Sequence, residues 1–142
     1  MGVDPVAISR SALDVEWQRM QVIAQNLANE NTSRVAGGGT YRPLRLVSGP
    51  ERGFPALLRQ DGAAEPGGDK VLGVEVAAGQ ARRVRDPSHP DADATGYVAY
   101  PAVDHAAEMA LLVKTARVYE GNLTALALAQ QMNMRALEIG KR

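Results

Sequence analysis

From His105 to Ile139 the chain runs thirty-five residues without a proline and with one glycine, Gly121. A helix of that length spans roughly 50 Å at 1.5 Å per residue. No globular core that a chain of 142 residues can build would surround such a rod. The segment therefore predicts a long helix opened by Asp104 as N-cap. Its apolar residues recur in heptads. Met109, Ala116, Leu123, Gln130 and Leu137 lie seven apart, with Leu112, Tyr119, Leu126 and Asn133 at the matching offset. Leu111, Val118, Ala125, Met132 and Ile139 form another stripe of the same period. One apolar face can pack on a second helix of the chain; two faces need a further partner.

The second helix is expected at the other end, from about Asp4 to Asn29. Asp4 can accept from the free amides of the first turn, and Pro5 sits where a missing N–H costs nothing. Val6, Leu13, Met20 and Leu27 repeat every seven residues, with Trp17 and Ala24 at the complementary offset. Ile8, Val15 and Ile23 widen or depart from that seam. Asn29-Glu30-Asn31-Thr32 ends the helix, because short polar side chains compete for its backbone groups.

The stretch between, 33–103, has another texture. Gly37-Gly38-Gly39 reads as a flexible break. Tyr41 to Val47 is a candidate strand, held to an edge by Pro43. Arg59 to Lys70, rich in Gly, Ala and acids, reads as a mobile loop. Val71 to Ala77 is the best strand, alternating Leu72, Val74 and Val76 against Val71, Gly73 and Glu75. Ala81 to Arg85 is expected to pair with it. Asp86-Pro87-Ser88-His89-Pro90 is a rigid turn, and Gly96 to Tyr100 a last short strand before Pro101. The fold class is therefore mostly α with a small β-rich insert. Residues 1–32 and 104–142 form a discontinuous helical region, paired as a coiled-coil-like hairpin or tube element, around the insert at 33–103.

Charge narrows the function. Sixteen basic and sixteen acidic residues balance, so no strong positive field exists for nucleic acid. Near-neutrality also removes one brake on self-association. Cysteine is absent, which excludes disulfides and thiolate sites. The N-terminus lacks a basic region followed by an apolar run, so no cleaved signal peptide is expected. No window approaches 18 consecutive apolar residues, so no membrane span is expected.

Catalytic patterns fail one by one. No serine stands in a Gly-x-Ser-x-Gly setting, and Gly37–Gly39 lacks the Lys and Ser/Thr of a phosphate loop. His89 with Asp86, Asp91 and Asp93 has metal-ligand chemistry on paper. A proline-fixed turn capped by Asp86 explains the same residues. Arg82, Arg83 and Arg85 have no interleaved aromatics to make a nucleic-acid site; a subunit ion pair or a solvated face accounts for them. Trp17 is either an interface anchor or a core residue. Gln130 and Asn133 are either register-fixing amides or a wet stretch of the seam. No catalytic residue, cofactor or metal is expected.

Three stretches resemble a known family. Ser11-Ala12-Leu13 and Arg19-Met20-Gln21-Val22-Ile23-Ala24-Gln25-Asn26-Leu27-Ala28-Asn29-Glu30-Asn31-Thr32 resemble the N-terminal signature of the bacterial flagellar rod, hook and hook-associated proteins. Glu108-Met109, then Arg117, Tyr119, Glu120, Asn122, Met132 and Leu137, are similar to that family's C-terminal helix. The run from Asp86, Pro87, His89 and Pro90 to Gly96 and Tyr97 resembles the mid-chain motif of its C-type proximal rod branch. Gly121, where the family usually has Ala, is a departure.

The resemblance implies a structural subunit of the basal-body rod, with terminal helices in the inner tube and the insert outside. It implies export through the flagellar type III apparatus, torque transmission, and contacts with copies of itself, other rod proteins and a rod-base or MS-ring adaptor. Assembly contacts are then expected at Leu13, Trp17, Met20, Ile23, Leu27, Asn29 and Thr32 on the first helix. On the second they are expected at Met109, Leu112, Tyr119, Asn122, Leu123, Leu126, Gln130, Met132, Asn133 and Leu137. A soluble adaptor that binds one partner helix is the competing reading, and a metal-dependent hydrolase the third.

Overall fold

The computed structural model describes residues 5–50 and 67–140. Its elements, in chain order, are α1 (Pro5–Ala28), β1 (Leu44–Pro50), β2 (Asp69–Val76), β3 (Arg82–Arg85), β4 (Tyr97–Tyr100) and α2 (His105–Ile139). The expected N-cap at Asp4 lies outside the described residues, as does most of the expected loop at 59–70. The last two positions of that loop, Asp69 and Lys70, are in fact the start of β2.

Both helices end as their residues dictate. At the end of α1 the Gln25 carbonyl accepts from the Asn29 side chain at 2.8 Å and from the Asn29 amide at 3.2 Å, which closes the last turn. The Thr32 hydroxyl then donates to Asn29 Oδ1. At the start of α2 Asp104 has extended backbone and its carboxylate accepts from the Ala107 amide at 3.1 Å.

The helices pack on one another in opposite directions: Asn26 meets Glu108, and Trp17 meets Tyr119. Because α2 is eleven residues longer than α1 (35 against 24), its C-terminal end outruns the described part of α1. Met132, Met134, Leu137 and Ile139 are correspondingly 63–76% exposed.

The strands form two separate two-stranded antiparallel sheets, β1–β2 and β3–β4. In the first, Leu44 faces Val76 and Leu46 faces Val74, with a bulge between Val47 and Ser48 that leaves Leu72 without an opposite residue. In the second, Arg82 faces Tyr100 and Val84 faces the fully buried Val98. The expected pairing of 81–85 with β2 is therefore wrong. The connection at 77–81 crosses to the segment before α2, where a Cβ on Gly79 would lie 2.8 Å from the Ala102 methyl. That carries β3 away from β2. A self-bonded turn then makes β3 and β4 hairpin neighbours, with the Asp86 amide donating to Gly96 O and the Asp93 amide to Tyr97 O. The glycine run at 37–39 is a closed turn. The Gly38 amide donates to Val35 O and the Val35 amide to Gly39 O, with Gly38 and Gly39 at positive φ.

Helix α1 is covered on two sides, by α2 and by the β1–β2 sheet. This explains why Leu13 and Val15, roughly 200° apart around the helix, are both buried. Val15 and Ile23 stand outside the heptad seam read from the sequence, yet are 3% and 1% exposed. The sheet supplies a second wall that a two-helix pattern does not anticipate.

Candidate assembly surface and its anchoring junction

A polar junction fixes the sheet to the helix pair. Asn26 is fully buried at the last turn of α1. Its Oδ1 accepts from the Leu44 amide at 2.9 Å, and its Nδ2 donates to the Leu44 carbonyl at 2.9 Å. One side-chain amide thus satisfies both backbone groups where β1 begins, as a neighbouring strand would. Oδ1 also accepts from the Tyr41 hydroxyl at 3.0 Å, and Nδ2 reaches Glu108 Oε2 at 3.4 Å. Glu108, 2% exposed in the first turn of α2, pairs through Oε1 with Arg45 Nη2 at 2.5 Å. Desolvation raises the Tyr41 phenol above its ordinary pKa, and the Glu108 carboxylate adds to the rise. Farther back along α1, Arg19 donates to the Leu46 carbonyl and to Ser48 Oγ beside the β1 bulge, and pairs with Glu16. Asn26 and Glu108 lie in the stretches that carry the family resemblance, but the sequence assigns no site role to them, to Arg45 or to Tyr41. The signal for Asn26 was its place eleven residues after Val15 and three after Ile23, a 3.6-residue period on the buried face.

On α2 the line facing α1 is Glu108, Leu112, Thr115, Tyr119, Asn122, Leu126 and Ala129. Glu108, Thr115 and Ala129 are buried and the other four half-buried. It contains Leu112, Tyr119, Asn122 and Leu126 of the expected assembly residues. The other half of the expected seam is turned one residue further round, into solvent. Met109 is 41% exposed, Leu123 44% and Leu137 69%, and Gln130 is exposed with them. Met132 and Asn133 are exposed too. On α1, Leu13 and Ile23 are buried, while Met20, Leu27, Asn29 and Thr32 are half-buried. Trp17 is 54% exposed and inclined against Tyr119 at 6.5 Å.

The outward line on α2 is the chemically unusual feature. Met109, Val113, Ala116, Glu120, Leu123, Ala127, Gln130, Met134 and Leu137 follow one another at steps of four and three, the spacing of a coiled-coil seam. It is more apolar than the line that α1 covers, which includes Glu108, Thr115 and Asn122. An apolar groove at its N-terminal end is lined by Met109, Ala110, Val113, Lys114, Arg117 and Val118. A surface of this kind makes the outward line the candidate contact face.

The 86–97 turn ties the insert together. Asp86 accepts from the Ser88 hydroxyl at 2.7 Å and from the Ser88 amide. Asp91 accepts from Ser33 at 2.7 Å and pairs with Arg34, which anchors the turn to the segment after α1. Asp93 accepts from the Thr95 hydroxyl at 2.6 Å and the Tyr97 amide at 3.0 Å, and pairs with Arg83. His89 Nδ1 accepts from the Asp91 amide, and its ring meets Tyr100 edge-on at 6.4 Å. Gly96 has φ +77°, and a Cβ there would lie 3.1 Å from Pro87 Cγ, so the turn requires glycine. Pro90 is exposed and Tyr97 lies under the Arg83 guanidinium. Asp86 and Asp93 serve their own local turns, and Asp91 ties the turn to Ser33 and Arg34. Among the described residues no group of three or more His, Cys, Asp or Glu is placed to hold a metal.

All three aspartates are held below the usual carboxylate range, each chiefly by its hydroxyl donor: Ser88 for Asp86, Ser33 for Asp91, Thr95 for Asp93. A depressed folded-state pKa gives stability that is present above the unfolded value, about 3.9, and lost as pH falls through the folded value. The turn is therefore expected to keep its structure down to about pH 4 and to loosen below it. Proton-detected titration of the Ser88, Thr95 and Tyr97 amides checks this: midpoints at or above the unfolded aspartate value would contradict it.

No protein-family model matches the chain. The FlgC flagellar basal-body rod protein of Bacillus subtilis is 40% identical over 142 residues, spanning 94% of this chain and 95% of the relative. The FlgC basal-body rod protein of Escherichia coli O6:H1 is 34% identical over 134 residues, and that of Borreliella burgdorferi 30% over 145, each spanning 94% of both chains. The chain belongs to the FlgC flagellar basal-body rod protein family. As a FlgC-family protein it is a structural subunit of the rod in the flagellar basal body, and not an enzyme. Among the described residues no helix is long and apolar enough to cross a membrane.

Proposed function

We propose that this chain enters the rod through the outward faces of its two terminal helices, with neighbouring subunits covering the apolar surface that one copy leaves in water. The observation that carries this reading is the solvent-facing heptad line of α2 and its extension past α1. Apolar burial contributes about 25 cal/mol per Å², so several such side chains per contact hold a subunit after association costs are met. In this reading residues 1–32 and 104–142 form the inner layer of the rod and 33–103 the outer insert. The Asn26–Glu108 junction passes load between them, and the assembled rod transmits torque. Its neighbours are other copies, other rod proteins and an adaptor at the rod base. The subunit crosses the inner membrane through the flagellar type III export apparatus, without a cleaved signal, and is assembled in the periplasm. The terminal helices are dynamic before assembly and gain their full burial on docking.

The test uses the overhanging end of α2. Met132→Asp with Leu137→Asp adds charge where the single chain has nothing to lose, both positions being more than 60% exposed. Loss of rod assembly and swimming, with unchanged helix content of the purified chain, is the expected result. Normal motility in that variant sinks the reading. A defined small oligomer with partner helices, and no incorporation into rods, would favour the adaptor.

A further inference from the structure

The free face of α1 carries a single large apolar side chain. Arg10, Asp14, Trp17, Gln21, Ala24 and Ala28 follow one another at steps of four and three, and all are exposed. Trp17 is inclined against Tyr119 and still 54% exposed. The side of α2 that points away from α1 offers the counterpart. Met109 and Val113 line an apolar groove bordered by Lys114 and Arg117, and Glu120 follows one turn later. Among the described residues none of Arg10, Asp14, Lys114, Arg117 and Glu120 makes an ion pair. One copy cannot bring Trp17 to its own groove, because α1 lies against the opposite face of α2. A neighbouring copy can.

Within the chain α1 and α2 run in opposite directions. Where all subunits point one way, α1 of one copy is therefore also antiparallel to α2 of the next. Seating Trp17 over Val113 then sets Asp14 beside Arg117, Arg10 beside Glu120 and Gln21 beside Met109. Both charge pairs are opposite in sign, and the indole enters an apolar groove edged by two cations, which favour an aromatic face. Other registers fail on the same residues. A shift of one turn brings Asp14 to Glu120, or in the other direction Arg10 to Arg117, like charge on like. A shift of one heptad sets Trp17 on Glu120, or Asp14 on Met109 and Arg10 on Val113, a charge on an apolar side chain.

We propose that Trp17 of one subunit seats in the Met109–Val113 groove of a second copy of the chain, and that this contact sets the stagger between neighbours in the rod. The proposal rests on the rod reading above and names the contact that reading leaves open. Knob and groove lie on different faces, so the contact is heterologous and propagates, where an isologous one would stop at two. Within a copy Trp17 lies by Tyr119; across the contact it lies by Val113, six positions earlier. Neighbouring copies are therefore displaced by about 9 Å along the helix axes. No ordered helix is needed in the free chain, because Trp17 is buried as both helices gain their structure on docking. The rest of the outward line, from Leu123 onward, is left for other neighbours.

The test replaces the full chain in swimming cells and reads both motility and the contact itself. Arg117→Asp sets two carboxylates together across the contact and is expected to abolish swimming and leave few rods. Exchanging the pair, Asp14→Arg with Arg117→Asp, is expected to restore both. The chain has no cysteine, so Gln21→Cys with Ala110→Cys supplies the sole thiols, at exposed positions that the register brings together. Isolated basal bodies carrying both substitutions are expected to give covalent pairs of this chain with a short bis-maleimide, and those carrying either one alone to give none. Should the cysteine pair block assembly, the charge exchange decides. Normal swimming with Arg117→Asp, no recovery in the exchanged variant, or intact rods without covalent pairs would each overturn the proposal. The rod reading would survive those results as long as Met132→Asp with Leu137→Asp still abolished assembly, so the two failures are distinct.

Discussion

Replacing Asn26 with leucine is expected to cost the folded chain about 2–4 kcal/mol, measured by urea denaturation followed by circular dichroism. Leucine keeps the branching and the number of side-chain heavy atoms of asparagine, so no cavity is left. The loss comes from polar groups that the amide serves. The Leu44 amide and carbonyl both bond to Asn26, and the carbonyl otherwise meets only the exposed Arg45 guanidinium at 3.4 Å. Leaving a buried donor or acceptor unmade costs about 1–3 kcal/mol each. The Tyr41 hydroxyl and Glu108 lose a partner as well. Glu108→Gln is expected to do less harm, about 1–2 kcal/mol. It removes the ion pair with Arg45, but that arginine side chain is 45% exposed and returns to water. A glutamine also keeps one oxygen for either neighbour. If Asn26→Leu proves as stable as wild type, the junction does not hold the sheet to the helices, and load cannot pass through it.

The sequence reading succeeded where one local rule decided the outcome. A run without proline, with Asp104 as its cap, placed α2 from His105 to Ile139 as expected. Asp86 caps its turn through Ser88 as its position before Pro87 implied. The reading failed where long-range packing decided. Heptad counting put Met109 and Leu123 into a single seam with Leu112, although two lines one residue apart are present and α1 covers the more polar one. Glu108 and Thr115 are invisible to a hydrophobic pattern, yet each is 2% exposed. Glu108 is kept there by Arg45, sixty-three positions earlier, and no local rule pairs the two. The same holds for β3: its residues form a strand, but the partner was set by the crossing of the 77–81 connection and by the turn that follows. Polar residues at core positions were the missed sign of a junction, and apolar residues in excess were the legible sign of assembly.

Those two kinds of apolar residue should separate in experiment. Ile23→Ala is expected to destabilise the chain by about 2–5 kcal/mol, the range for deleting a buried aliphatic side chain. Ile23 is 1% exposed between α2 and the sheet, and the described core around it is small: Leu13, Val15, Leu46, Val98 and Ala129. A loss of that size approaches the whole stability of a small domain, so the variant should be largely unfolded at 37 °C. Leu123→Ala removes as many methyl and methylene groups from a side chain 44% exposed, and Leu137→Ala from one 69% exposed. Both are expected to shift unfolding by less than about 0.5 kcal/mol, with assembly impaired all the same. The comparison isolates the physical role of the outward line. If Leu123→Ala unfolded the single chain as Ile23→Ala does, that line would belong to the core of one copy. It would then not be available to any neighbour in the rod. Unchanged stability with lost assembly assigns the burial to the contact between subunits, which is where a thirty-five-residue helix in so small a chain finds the rest of its cover.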